Sequence, residues 1–295
     1  MKTTRMTLSG GDDIRLAADL REPAERTKKL APVMLLHGGG QTRHSWDGTA
    51  DMLAKCGHVT VTVDARGHGE SDRSPGGDYR WELFAQDVIA IADQLAESYG
   101  QRPVAVGASM GGLSSLGAQT TRPGTLAAIA LVDITPRMRP DGVDRILGFM
   151  ADRATEGFES PEEAAEAIAG YLPHRPRPRS LAGLRKNLRR HDDGRYYWHW
   201  DPAFVRTMTA QAENRETRLE WLEEGVRSMT VPLMLVRGSR SELISDDEVA
   251  HFLELAPHTR VVDIRGAGHM VAGDRNDAFG DAVLDFLGEL ERTDA

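Results

Sequence analysis

A serine between two glycines, directly after an apolar run, is the residue best suited to covalent chemistry. The run that starts at Val104 ends in Gly107-Ala108-Ser109-Met110-Gly111 and leads into a helix-compatible segment. This G-x-S-x-G spacing predicts a turn so sharp that the backbone of Ser109 is strained, with glycines leaving room for it. Such a turn lifts the hydroxyl above the sheet and beside the amides of a helix N-terminus. Ser109 is therefore the candidate nucleophile.

The hydroxyl of a serine is a poor nucleophile at neutral pH until a neighbouring base removes its proton. His269 is the candidate base, because it ends the glycine-rich loop Gly266-Ala267-Gly268-His269 and comes last in the order serine, acid, histidine. Such a base would let Ser109 take an acyl group from a substrate and pass it to water. Structural, solvated or loop-packing roles are expected for four other histidines, His37, His58, His68 and His251.

A carboxylate must hold the second ring nitrogen of the base, and two acidic residues compete for this role. Glu242 follows the apolar run at 231–236 by a few residues and is the acid that we choose. Asp133 directly follows the preceding apolar run and is the alternative acid. On this choice, Glu242→Gln should cost far more rate than Asp133→Asn.

Two backbone amides are expected to stabilise the negative oxygen that forms when Ser109 attacks a carbonyl group. Met110 follows the nucleophile directly, and Gly39 lies in the segment His37-Gly38-Gly39-Gly40 after a buried apolar run. Each donor of this kind contributes about 3 kcal/mol to the transition state. Gly40 is the less favoured second donor. A nucleotide-binding loop is disfavoured, because no Lys-Ser or Lys-Thr pair follows the glycines.

Alternating strand and helix patterns place these residues at one edge of a predicted sheet, where ligands bind beyond the carboxyl ends of parallel strands. Buried strands are predicted at 33–36, 59–64, from 104, and at 126–134, 231–236 and 261–264. Two alternating stretches, 3–9 and 14–20, predict an antiparallel N-terminal hairpin. The predicted fold is α/β, with a mostly parallel, eight-stranded, doubly wound sheet and helices on both faces.

The middle of the chain departs from this alternation. Residues 135–228 contain several helical stretches and no convincing strand, so they are predicted to form a helical cap, or lid, inserted into the sheet domain. The sheet domain itself is predicted to comprise residues 1–134 and 229–295. Helices are expected from Arg137 to Ala154, from Pro161 to Tyr171 and from Ala203 to Ser228.

The substrate pocket is expected to draw on aromatic and apolar side chains from both parts of the chain. The candidates are Trp46, Trp198, Trp200 and Met270. The aromatic cluster 196–200 would line an apolar pocket, although packing of the cap against the main domain is the favoured alternative. The basic segment 175–179 could meet a substrate carboxylate, with a solvated loop as the alternative.

Composition excludes several classes of function. The chain has 295 residues and a formal net charge of -9, which disfavours a general affinity for nucleic acid or anionic membranes. Its single cysteine, Cys56, cannot form an internal disulfide, which favours a reducing compartment and a buried thiol. No secretory signal, membrane span or metal-ligand spacing is visible, so we expect a cytoplasmic protein that acts on a small molecule without a cofactor. The oligomeric state stays open.

At these motifs the sequence resembles the α/β-hydrolase superfamily, and more narrowly its bacterial esterases, cofactor-free haloperoxidases and epoxide-hydrolase-like members with a helical cap. The matching segments are His37 to Gly40 with Trp46 downstream, 64–72, Gly107 to Gly112, and Gly266 to Met270. The resemblance covers residues 1–134 and 229–290. Glu242 departs from it, since relatives usually have aspartate there. Ser109 stands where epoxide hydrolases and haloalkane dehalogenases have aspartate, which speaks against both activities.

The residues and the resemblance together favour a serine hydrolase that cleaves a carboxylic ester, lactone or related acyl compound through an acyl-enzyme. One alternative keeps the same Ser109 for cofactor-free perhydrolysis, the haloperoxidase activity, or for hydrolysis of a carbon-carbon bond. A second alternative is a ligand-binding protein that has kept the hydrolase scaffold and lost catalysis.

Overall fold

An eight-stranded sheet forms the centre of the protein. The structure is a computed structural model that describes residues 1–25, 30–171, 181–210, 215–269, 271 and 276–293. The strands are β1 (Lys2–Ser9), β2 (Arg15–Glu22), β3 (Val33–Leu36), β4 (Thr60–Val63), β5 (Val104–Ala108), β6 (Ala128–Val132), β7 (Leu188–Arg190), β8 (Tyr196–Trp198), β9 (Leu233–Gly238) and β10 (Arg260–Ile264). The order across the main sheet is β1-β2-β4-β3-β5-β6-β9-β10, and β7 pairs with β8 separately.

The N-terminal strands run antiparallel and the others parallel, as the sequence predicts. β1 pairs antiparallel with β2, and β2 pairs antiparallel with β4. From β4 to β10 every neighbouring pair in the main sheet is parallel. The central strands β3, β5 and β6 are apolar on both faces because helices cover both.

Helices cover the two faces of the sheet. They are α1 (Asp47–Lys55), α2 (Trp81–Tyr99), α3 (Met110–Thr121), α4 (Pro140–Ala151), α5 (Pro161–Tyr171), α6 (Ala182–Arg185), α7 (Pro202–Ala210), α8 (Arg215–Arg227), α9 (Asp246–Leu255) and α10 (Asn276–Thr293). Successive residues of β3 alternate between two cores: Met34 belongs to the core that includes α2, α3, α8 and α9, and Leu35 belongs to the core that includes α1 and α10. This alternation fixes the register of the sheet, since a one-residue slip would exchange the two faces.

The segment between β6 and β9 differs from the prediction in two ways. It contains the short hairpin of β7 and β8, although no strand is predicted there. Each of these strands has three residues, and the polar Leu188-Arg189-Arg190 offers no alternating pattern to detect. The single helix predicted from Ala203 to Ser228 is described as two, α7 and α8, which flank residues 211–214 outside the described part.

Helix α8 lies within the predicted cap but packs on the sheet domain. A Cβ added to Gly225 of α8 would meet the side chain of Thr120 on α3. Trp221 of α8 lies beside Gly117 of α3. Leu222 and Val226 are buried in the core formed with α2 and α3. The division at 134/135 and 228/229 stays a prediction.

Two features concern the surface. Cys56 is exposed, so the predicted burial of its thiol is wrong. The residue caps the C-terminus of α1, beyond the buried side chains of that helix. Among the helices in the described ranges, none combines the length and apolarity needed to cross a bilayer.

A Gly107→Ala substitution tests the close approach of β5 and α3. The added Cβ would lie 2.5 Å from the carbonyl carbon of Gly111 and from the amide nitrogen of Gly112, where backbone cannot yield easily. We expect a loss of about 3 kcal/mol or more in the free energy of unfolding, measured by urea denaturation. Gly148→Ala on α4 is the control. Nothing lies within 4 Å of the Cβ position of Gly148, so the free energy of unfolding of this control should rise by about 0.5–1 kcal/mol. Equal stability of the two variants would contradict the packing described.

Candidate active site

Ser109 occupies the sharp turn between β5 and α3. Its backbone has φ 47° and ψ -112°, a conformation that costs a non-glycine residue about 1–3 kcal/mol. The packing around it maintains this strain, because a Cβ at Gly111 would lie 2.5 Å from the carbonyl oxygen of Leu36. The amide of Ser109 donates to the carbonyl of Val132 at 3.1 Å, which places the serine beside the end of β6. The predicted turn is therefore present.

His269 is held by Asp133 at the end of β6. The distance from His269 Nδ1 to Asp133 Oδ2 is 2.7 Å, and the aspartate side chain is fully buried. The Gly238 amide donates to Oδ1 at 2.9 Å, and the Ser241 hydroxyl donates to Oδ2 at 2.6 Å. Because a carboxylate accepts only, His269 donates from Nδ1, and its Nε2 is left as the proton acceptor. This is the tautomer that a general base requires.

Among the hydrogen bonds and ion pairs of the described residues, none joins His269 to Glu242, the acid that the sequence predicts. Its carboxylate accepts a hydrogen bond at 2.5 Å from Arg145 of α4. The adjacent residue Ser241 points inward to Asp133 and also accepts the amides of Leu243 and Ile244. This turn directs the next side chain away from the histidine and toward the inserted segment. The alternative acid, Asp133, is the one that meets His269.

Ser109 and the Asp133–His269 pair share one edge of the sheet. Strands β5 and β6 are neighbours, and the Asp133 amide donates to the carbonyl of Val236 in β9 at 2.8 Å. The hydrogen bonds of the described residues include none between Ser109 and His269. Hydrogen bonds of this kind often tighten only when substrate is bound.

The glycine loop after β3 leaves one amide available. Gly38 donates to Gln41 Oε1 at 3.2 Å, and Gly40 donates to His68 Nε2 at 3.2 Å. The hydrogen bonds of the described residues give the Gly39 amide no acceptor. A Cβ on Gly38 would lie 3.4 Å from Ser109 Cβ, so this loop adjoins the candidate nucleophile. Met110 opens α3, where the first amides of a helix have no partner within it.

Three buried histidines surround the glycine loop. His37 accepts the Ala65 amide at 3.0 Å, His68 accepts the Gly40 amide, and His199 accepts the Gly69 amide at 2.7 Å. Burial, and then the neighbouring His37, lowers the pKa of His68 to about 3. Burial also lowers the pKa of His37, and it lowers the pKa of His199 well below its usual value. All three rings are therefore neutral at physiological pH.

The structure places the predicted substrate-lining residues in different surroundings. Trp46 lies in the core against Phe279 of α10, at 5.7 Å between ring centroids, because the start of α1 faces that helix. Trp198 and Trp200 stack at 4.8 Å, and Trp200 lies 3.3 Å from the Cβ position of Gly40. Met270 and the basic segment 175–179 lie outside the described residues.

Two residues that cover the glycine loop are missed by the sequence analysis. Met150 of α4 and Phe204 of α7 lie 3.6 and 3.7 Å from the Cβ position of Gly39. Each is one apolar residue among many on an amphipathic helix, so no sequence signal distinguishes it.

One group of possible metal ligands occurs in the described ranges, at Asp19, His44 and Asp47. Asp19 pairs with Arg43 at 3.0 Å, and Asp47 pairs with Arg21 at 2.6 Å. These guanidinium groups already neutralise the carboxylates, which fits a structural ion-pair network.

A serine turn and a histidine held by a carboxylate, on a mostly parallel sheet, define a class of enzymes. The model of the alpha/beta hydrolase family matches residues 33–282. The chain belongs to this family and is a hydrolase.

Several known proteins are similar to it. Esterase Rv0045c of Mycobacterium tuberculosis is 28% identical over 251 residues, which cover 82% of this chain and 78% of that protein. The sn-1-specific diacylglycerol lipase ABHD11 of Mus musculus is 28% identical over 265 residues, which cover 88% and 81%. The crystal structure of E-2-(acetamidomethylene)succinate hydrolase superposes with a TM-score of 0.82 at 21% identity, covering 97% of this chain and 100% of that one.

The neutrality of His68 predicts how stability depends on pH. An unfolded histidine titrates near pH 6.5, whereas folding lowers the pKa of His68 to about 3. Between these values the unfolded chain binds the extra proton, so stability falls as the pH falls below 6.5. His68→Gln removes this titration. Between pH 7 and pH 5 the free energy of unfolding should therefore fall by about 2 kcal/mol less in this variant than in the wild type. Urea denaturation at both pH values measures the difference, and equal losses would contradict the neutral assignment.

Proposed function

We propose that this hydrolase cleaves a carboxylic ester or related acyl compound through Ser109, His269 and Asp133. The observation that carries the proposal is the 2.7 Å hydrogen bond from His269 Nδ1 to the buried Asp133, at the sheet edge where the Ser109 turn lies. The names of similar proteins, an esterase and a diacylglycerol lipase, support an ester as the substrate.

Catalysis begins when Ser109 Oγ attacks the carbonyl carbon of the substrate and its proton moves to His269 Nε2. The carbonyl oxygen becomes negative and accepts hydrogen bonds from the amides of Gly39 and Met110. When the tetrahedral intermediate collapses, the bond to the leaving oxygen breaks and His269 returns the proton to that oxygen. An acyl group is left on Ser109.

Water completes the cycle by the same route. His269 removes a proton from water, and the resulting hydroxide attacks the acyl carbon. The second intermediate again places its negative charge at the two amides. Collapse breaks the bond to Ser109 Oγ, which regains its proton from His269, and the carboxylic acid leaves. Asp133 stays ionised and stabilises the positive imidazolium in both halves.

Ser109→Ala should reduce the turnover of p-nitrophenyl acetate by at least about 10³-fold, because no nucleophile remains. Labelling by a fluorophosphonate should also disappear. The assay is absorbance at saturating substrate, with fluorescence of the labelled band as the second measurement. Retention of either signal would remove Ser109 from its role. A wild-type chain that binds esters without turnover would favour the ligand-binding alternative.

The choice of acid is tested by a ranked pair of variants. Asp133→Asn should reduce kcat by about 10³–10⁴-fold, because an amide supports the wrong histidine tautomer. Glu242→Gln is the matched control and should change kcat by less than about threefold, since an exposed ion pair contributes little. Steady-state kinetics on one ester decide the order. A larger loss in Glu242→Gln would restore Glu242 as the acid.

A further inference from the structure

Two loops meet behind the proposed oxyanion hole. The glycine loop is residues 37–40, and the second loop, residues 64–72, follows β4. The two are joined by reciprocal hydrogen bonds: His37 accepts an amide of the second loop at 3.0 Å, and His68 accepts an amide of the glycine loop at 3.2 Å. Both histidines are fully or almost fully buried. The bonds therefore set the relative position of the loops without competition from water.

The protonation of His68 is fixed by its two partners. Its Nδ1 lies 3.0 Å from the Arg66 carbonyl oxygen, which accepts only, so Nδ1 carries the hydrogen. Its Nε2 is bare and accepts the Gly40 amide at 3.2 Å. A second proton on Nε2 would place two donors face to face. His68 thus acts as a fixed acceptor within the fold.

This acceptor holds one amide of the glycine loop in a hydrogen bond within the protein. Gly38 and Gly40 both donate within the protein, to Gln41 and to His68. Gly40 has φ 74°, a left-handed conformation that turns the chain after Gly39. Because the amides of Gly38 and Gly40 are both hydrogen-bonded within the protein, the amide of Gly39 is the donor of the three that can point toward Ser109.

The ring of His68 also supports the glycine loop through packing. Its edge meets Phe204 with centroids 4.9 Å apart and planes at 75°, and Phe204 lies 3.7 Å from the Cβ position of Gly39. On another side, His199 lies at 5.8 Å between centroids and accepts the Gly69 amide. His68 thus acts on Gly39 indirectly, through its hydrogen bond with Gly40 and through Phe204.

We propose that His68 is a positioning residue of the oxyanion hole, which acts by accepting the Gly40 amide so that the Gly39 amide is the free donor. This inference rests on the proposed function, because an oxyanion hole has a role only if Ser109 forms a tetrahedral intermediate. His68 itself does not touch the substrate. Its loss should therefore weaken the binding of the transition state more than that of the ester.

Two variants separate the hydrogen bond from the packing. His68→Phe keeps a ring but removes the acceptor, whereas His68→Gln offers an amide oxygen that can accept from Gly40. For p-nitrophenyl acetate we expect His68→Phe to lower kcat by about 10²-fold with KM within about threefold. The kcat of His68→Gln should be at least about tenfold higher than that of His68→Phe. His251→Gln, at a histidine paired with Glu223 away from the loops, is the control and should match the wild type.

A reversible inhibitor gives a readout that a merely structural role would not move. A phenyl-substituted trifluoromethyl ketone forms a tetrahedral adduct with serine, and its oxyanion occupies the hole. Its inhibition constant should rise in His68→Phe by the factor by which kcat falls, because both report the transition state. A fall in thermal stability with no recovery in His68→Gln would overturn the positioning role.

Nitrogen-15 NMR tests the acceptor directly. The wild-type spectrum at pH 7 should show His68 with hydrogen on Nδ1 only, and hydrogen on Nε2 would overturn the proposal. Ser109→Ala is assayed on the same ester. Turnover that does not depend on Ser109 removes the proposed function and this inference with it. Turnover that depends on Ser109 but is unchanged in His68→Phe overturns this inference alone.

Discussion

The close approach of helix α3 to strands β3 and β5 is the constraint on which the site depends. Cβ positions at Gly107 and Gly111 lie 2.5 Å from neighbouring backbone atoms, so no other residue type fits without displacement. This contact forces Ser109 into a positive φ and brings its Cβ near Gly38. Ser109, the candidate nucleophile, is therefore placed by the same packing arrangement as the helix N-terminus and the glycine loop. Strain at a functional residue persists because the surrounding structure over-determines it.

A buried carboxylate imposes the second constraint. Asp133 has no exposed surface, and burying an ionised group is costly unless its oxygens are hydrogen-bonded. Three donors from separate segments meet this need: the Gly238 amide at the end of β9, the Ser241 hydroxyl and His269. The aspartate thus joins the loops at the ends of β6, β9 and β10. Among the hydrogen bonds of the described residues, the Glu242 carboxylate accepts from Arg145 alone.

Local signals determined how far the sequence could predict this site. Ser109 and Gly39 follow buried strands with glycines, and those patterns need no knowledge of tertiary contacts. The choice between Asp133 and Glu242 does need it, because both follow strands at the same edge and the deciding hydrogen bonds join residues over 100 positions apart. Trp46 is a predicted pocket residue, yet it fills the core beside Phe279. The short hairpin of β7 and β8 depends on tertiary contacts in the same way, since a strand of three residues is too short to show an alternating apolar pattern.

Histidine has opposite roles at two places in the same region, and its partners account for the difference. His37, His68 and His199 are buried and each accepts a backbone amide, so a proton at the accepting nitrogen would break a hydrogen bond. His269 keeps a side chain that is 16% exposed and donates to the buried carboxylate of Asp133. In the proposed mechanism, the proton moves through His269, the one imidazole of these four that is hydrogen-bonded to a carboxylate. In the proposed mechanism, the loops beside the oxyanion hole keep their hydrogen bonds while His269 gains and loses its proton.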